Sequence, residues 1–239
     1  MTRMASQDAP SIGVLLRGEP EALCAWIEHW NARRLALCAG VIFLGAGLYG
    51  AAMGYWRAPL QGLFVAIKFP LIILLTSLGN ALLNAMLAPL LGLNLTLRQS
   101  FLAVLMSFTI LAAILGSFSP LAAFVIWNVP PLSADQHISS GTYSFIQLMH
   151  VAVIAFAGTT ANLRLLQLLR RLSGRVATAR RVLLAWLAGN LFFGSQLCWI
   201  LRPFIGSPNL KVEFLRDTAF HGNFYETVFD SALRLLHGP

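Results

Sequence analysis

Few residues in this chain carry side chains able to do chemistry, and their placement narrows what that chemistry is. The acids are Asp8, Glu19, Glu21, Glu28, Asp135, Glu213, Asp217, Glu226 and Asp230, so Asp135 stands alone between residues 29 and 212. Paired carboxylates for acid–base work are missing, as are HExxH, GxSxG, GxGxxG and a P-loop. Cys24, Cys38 and Cys198 make no CxxC and have no histidine at ligand spacing, so they read as small apolar filler. No metal or cofactor is expected, and the chain reads as a non-enzyme.

What remains is a thin set of polar side chains inside apolar runs. Lys68 stands in LFVAIKFPLIILL, His150 in FIQLMHVAVIAF, and Gln196 in FFGSQLCWIL, with Arg202 just beyond. At 1.5 Å per helical residue, Lys68 and His150 would lie about 12 and about 10 Å inside their apolar runs. Gln196 would lie about 8 Å in from the same side, Asn190 about 16 Å, and Arg202 at the rim. A lysine at such depth costs at least ~2.5 kcal/mol on insertion scales and marks a functional site by default. Lys68, His150, Gln196 and Arg202 are therefore the candidate layer for an anion or a lipid headgroup. The plainer alternative is a snorkelling lysine with amides that join helices.

The elements that would hold this layer follow from composition. Of 239 residues, 57% are hydrophobic and 11% charged, with mean hydropathy +0.71. Soluble domains carry about 25% charged residues, so this chain cannot cover a water-facing surface and belongs in a membrane. An all-α, polytopic transmembrane helix bundle of about five spans is expected, with amphipathic helices at both ends. The spans are Leu35–Trp56, Leu60 to about Gly79, Ser100–Trp127, Tyr143–Leu163 and Val182–Leu201, each about the 20 residues that hydrocarbon requires. The apolar tail 80–93, which contains Pro89, either extends the second span as a bent helix or forms a short re-entrant or interfacial piece.

The division is thus an N-terminal segment (1–34), a membrane domain (35–201) and a C-terminal segment (202–239). Leu23, Trp26, Ile27 and Trp30 recur at helical spacing within 20–34, which reads as an amphipathic helix suited to the bilayer interface. Residues 223–236 repeat the pattern after an Asn cap.

The net charge of +8 comes from thinned acids rather than from a basic tract, and the bases sit at span ends. Nucleic acid is therefore not an expected partner. The loop 164–181 holds Arg164, Arg170, Arg171, Arg175, Arg180 and Arg181, whereas 128–142 holds no base. By the positive-inside rule the arginine loop is cytoplasmic, the N-terminus inside and the C-terminus outside, in a bacterial inner membrane.

Glycines mark the first span. Gly40, Gly47 and Gly54 recur every seven residues, and Gly50 makes a GxxxG with Gly54. They read as one helix-packing face, with Gly45 pointing elsewhere. The occupant is another span of this chain or a partner subunit.

The stretch 49–116, YGAAMGYWRAPLQGLFVAIKFPLIILLTSLGNALLNAMLAPLLGLNLTLRQSFLAVLMSFTILAAILG, resembles the Yip family of Ypt/Rab-interacting five-span proteins, and more closely its bacterial relatives. The likeness lies in a short turn, a Pro-containing second helix and a Gly-Leu-polar-Arg-Gln turn into the third. It implies a five-span membrane protein with an inside N-terminus. The long N-terminal region of the eukaryotic members and its DLYGP-type motif are missing, so the resemblance implies no GTPase binding. The expected role is an accessory, scaffold or assembly subunit that packs against other integral membrane proteins or itself, among membrane lipids. The alternative is transport or anion and lipid handling at the Lys68 layer.

Overall fold

A computed structural model describes residues 12–17, 20–28, 31–130, 136–206 and 211–226. The elements are α1 (Ile12–Arg17), α2 (Pro20–Glu28), α3 (Ala32–Tyr55), α4 (Pro59–Leu90), α5 (Leu97–Asn128), α6 (Gln136–Ser173) and α7 (Val176–Leu201). All are helical, and α3 to α7 are each long and apolar enough to cross a membrane. The protein is an all-α, multi-pass bundle.

Capping chemistry sets the helix ends. Asn31 Oδ1 accepts from the Arg33 amide at 2.8 Å and opens α3. Thr96 and Gln99 form a reciprocal capping box at α5, with bonds of 3.2 and 3.0 Å. Pro59 occupies the first turn of α4, where its missing amide costs nothing. α4 then runs unbroken through Pro70 to Leu90, so residues 80–90 extend the second span and form no separate re-entrant piece.

α3 packs on both α4 and α5, which also meet each other, while α7 lies against α4 and α6, and α6 against α5. Gly47, Gly50 and Gly54 take the α4 side. A side chain at Gly50 or Gly54 would sit 2.7 Å from the carbonyl oxygens of Val65 or Gln61. Two expectations fail here. Gly40 has nothing within 4 Å of an added side chain and belongs to no packing face. Gly45 is buried against the Ala112 carbonyl of α5, and Gly116 of α5 would collide with it in turn, at 2.8 Å from its Cα. A seven-residue repeat drifts by about 20° per heptad on a straight helix. More decisively, α3 is gripped on two sides, so its glycines serve two neighbours.

The arginine segment is not a loop. α6 continues to Ser173 and α7 begins at Val176, joined by Gly174 at φ +64°. Its leucines explain the difference: Leu165, Leu168 and Leu169 are buried in the core, so the helical stripe outlasts the hydrocarbon-length run. The N-terminal expectation is corrected as well. α2 ends at Glu28, separate from α3, and Leu23, Trp26 and Ile27 are buried in that core, with α2 against α5 and α6. Their apolar face meets protein instead of lipid. Trp30 lies outside the described residues. So does most of the expected helix 223–236, of which 224–226 are helical and Asn223 Oδ1 accepts from the Glu226 amide at 2.9 Å.

Candidate functional site

Lys68 is fully buried on the face of α4 that meets the chain beyond α7. Its Nζ lies 3.5 Å from the Pro203 carbonyl and 3.4 Å from that of Glu213, both long for a charged donor. The ammonium also stands 5.3 Å from the centre of the Phe214 ring, which packs edge-on against Phe64 at 5.6 Å. Two turns nearer the start of α4, Gln61 Nε2 donates to the Pro203 and Phe204 carbonyls at 2.8 and 3.1 Å. Residues 203–206 and 211–216 thus lie over this end of the bundle.

Further cations gather there. The Arg202 guanidinium lies 3.2 Å from the Trp199 ring centre, and its Nη1 is buried without a hydrogen-bond partner among the described residues. Arg216 lies within electrostatic range of both Lys68 and Arg202. Burial, then the Arg216 charge, holds Arg202 below the ordinary guanidinium value. Arg57 passes beneath Gly206, whose φ of +89° favours glycine and where an added Cβ would sit 2.7 Å from Arg57 Cγ. Among the described residues the ion pair is Glu21–Arg171, so no carboxylate is salt-bridged to Lys68, Arg202 or Arg216. Arg216 repels both Lys68 and Arg202, and an anion placed beside it relieves that repulsion.

The residues picked out from the sequence do not form one layer. Lys68 and Arg202 share Arg216 as a neighbouring charge, and Lys68 reaches the carbonyl of Pro203 next to Arg202, but His150 and Gln196 bond elsewhere. The His150 Nδ1 shares a 2.8 Å hydrogen bond with the Tyr49 hydroxyl, the rings edge to face, inside the second apolar core. Gln196 Oε1 accepts from the Phe224 amide at 3.2 Å. With Tyr225, whose hydroxyl lies 2.8 Å from Ser195 Oγ and donates to the Phe192 carbonyl at 2.8 Å, it anchors the C-terminal segment on α7. Arg216 and Gln61 went unnoticed in the sequence, because Gln61 sits where a span starts and Arg216 lies among ordinary loop charges.

Two concave surfaces lie elsewhere. One, about 620 Å³, opens between Phe192 and Gln196 of α7 and residues Asn223, Tyr225 and Glu226. The other is an apolar groove of about 430 Å³ between α3 and α5, closed at one end by the Tyr55–Trp127 ring pair. Among the described residues, no three histidine, cysteine or acidic side chains group as metal ligands.

No family model, curated protein or solved structure matches this chain.

Proposed function

We propose that this is an anion-handling membrane protein whose binding site is the cation cluster of Lys68, Arg202 and Arg216, taking a phosphate-class anion. The observation that carries this reading is that three positive groups lie together with no carboxylate paired to them among the described residues. Lys68 is the fully buried charge of the three, and burying a charge without an opposite one carries a cost that a bound anion would offset. The roles divide naturally. Arg202 and Arg216 offer fork-shaped donors that suit phosphate oxygens, while Lys68 supplies a point charge beneath them. The same reading takes the bilayer to be a bacterial inner membrane with this end outside. The Yip-like order of spans fits a five-helix membrane protein and adds no residue to the site.

A test uses the full chain in detergent, with thermal unfolding followed as inorganic phosphate or phosphatidylglycerol is added. A ligand at about 100 times its Kd stabilises by ~2.7 kcal/mol. The parent and Lys68→Arg should gain that stability, whereas Lys68→Met and Arg216→Gln should gain little. Equal gains in all four proteins would overturn the reading.

A second reading, an accessory or assembly subunit, draws on the thin burial of the last helix. The most apolar stretch of α7 is 11% buried against 56% for α5, leaving Leu184, Leu191 and Phe192 exposed. A second copy or another integral protein on that face would appear as a stoichiometric component after gentle-detergent purification. The glycine face that first supported this reading is occupied by α4 and α5 of the same chain.

A further inference from the structure

The polar residues of α4 do not stop at Lys68. Thr76, Asn80 and Asn84 continue the same stripe at helical spacing, and all three are buried. α7 runs antiparallel along it in steady register: Pro203 meets Lys68, Gly194 meets Thr76, Gly189 meets Asn80 and Thr178 meets Gly92. That register brings Asn84 opposite Trp186. Gly189 permits the approach, since a side chain there would collide with Asn80 Oδ1.

This seam is polar and incompletely satisfied. Asn80 Nδ2 donates to the Trp186 carbonyl at 3.2 Å and to Asn190 Oδ1. Yet Thr76 Oγ1, Asn80 Oδ1, Trp186 Nε1 and both amide atoms of Asn84 are buried without hydrogen-bond partners among the described residues. Each such group costs about 1–3 kcal/mol, a penalty that no close-packed helix interface needs to carry. Groups of this kind in membrane interiors face water-filled cavities or ligand paths.

The charges at the two mouths set the sign of what could pass. Lys68, Arg202 and Arg216 stand at one end, and Arg175, Arg180 and Arg181 lie at or just inside the start of α7 at the other. Between them the seam is neutral, and none of α3 to α7 contains Asp or Glu. Both mouths carry net positive charge, with Glu213 and Asp217 counted at the Lys68 end, while amide, indole and hydroxyl donors can solvate an anion along the way.

We propose that the α4–α7 seam is a hydrated polar path along which a phosphate-class anion, free or as a lipid headgroup, passes between the Lys68 end and the Arg175–Arg181 end. This rests on the anion reading of the Lys68 cluster, but its first test does not.

Cys24→Ala and Cys198→Ala leave Cys38, a natural thiol fully buried in the apolar core. In that background, Thr76→Cys and Asn84→Cys should react with a small water-soluble methanethiosulfonate at least about ten times faster than Cys38. Thiol rates as slow as that of Cys38 at both positions would overturn the path, even if Arg216→Gln still weakened phosphate binding. The full chain in phosphatidylcholine–phosphatidylglycerol vesicles then separates the two sources. Efflux of radiolabelled phosphate reports the free anion, and albumin back-extraction of fluorescent phosphatidylglycerol reports the headgroup. Either rate above protein-free vesicles, and reduced several-fold by Asn84→Leu or Trp186→Phe, supports the proposal. Background rates in both arms would overturn it.

Discussion

Lys68 and His150 are both buried ionisable groups in membrane helices, and their surroundings give them different work. Lys68 meets backbone carbonyls at long range and other cations, which leaves its charge available. His150 is committed to Tyr49, 101 residues away, at 2.8 Å, with its Nε2 buried and without a partner among the described residues. Tyr49→Phe would strip the imidazole of its partner and should cost about 1–3 kcal/mol. Removing both polar groups, in Tyr49→Phe with His150→Leu, should recover part of that loss, because two apolar surfaces leave nothing unsatisfied. Thermal unfolding in detergent would compare the three proteins, and a Tyr49→Phe variant as stable as the parent would refute the pairing as a stabilising bond. In the sequence His150 was visible as an ionisable residue in an apolar run, but nothing local pointed to Tyr49. Pairings between distant helices leave no mark on spacing, which is also why His150 and Lys68 looked like one layer.

Element identity was far more legible than element contact. The five spans follow from hydrophobic length, and the structure has five helices that meet it. Their overshoot was hidden: Leu165 to Leu169 carry α6 past the hydrocarbon, and a window tuned to span length discards them. The glycines of α3 show the same limit. Their abundance announces close approach, but which neighbour each one meets depends on two helices packed later in the chain. The structure reverses the order of tolerance that heptad spacing implies. Gly45→Leu and Gly54→Leu should both be severe, since each forces backbone apart, and overpacking typically costs ~1–3 kcal/mol or more. Gly40→Leu should be tolerated. Yield of monodisperse protein and its thermal midpoint would rank the three. A Gly45→Leu protein as well behaved as Gly40→Leu would refute the α3–α5 contact.

At the scale of the whole molecule, five helices of crossing length in succession leave the start of α3 and the end of α7 at opposite ends of the bundle, and charge chooses which end faces the cytoplasm. The α6–α7 turn and its flanks gather Arg164, Arg170, Arg171, Arg175, Arg180 and Arg181, joined at the same end by Arg98 in the first turn of α5 and by Arg33 and Arg34 at the start of α3. The Glu21–Arg171 pair neutralises little of this, being an exposed contact of 3.1 Å with side chains 85% and 59% accessible. The Lys68 end has Arg57, Arg202 and Arg216, which are half-buried, and the exposed Lys211. Translocating the arginine end would be the costlier outcome, so it should remain cytoplasmic. With Cys24, Cys38 and Cys198 replaced, Val176→Cys on the exposed turn and Phe220→Cys on the opposite end give two reporters. An impermeant maleimide applied to intact spheroplasts should label Phe220→Cys and reach Val176→Cys only after permeabilisation. The reverse pattern would turn the molecule over and place the Lys68 cluster against the cytoplasm, where the anion entering the seam would come from the cell interior.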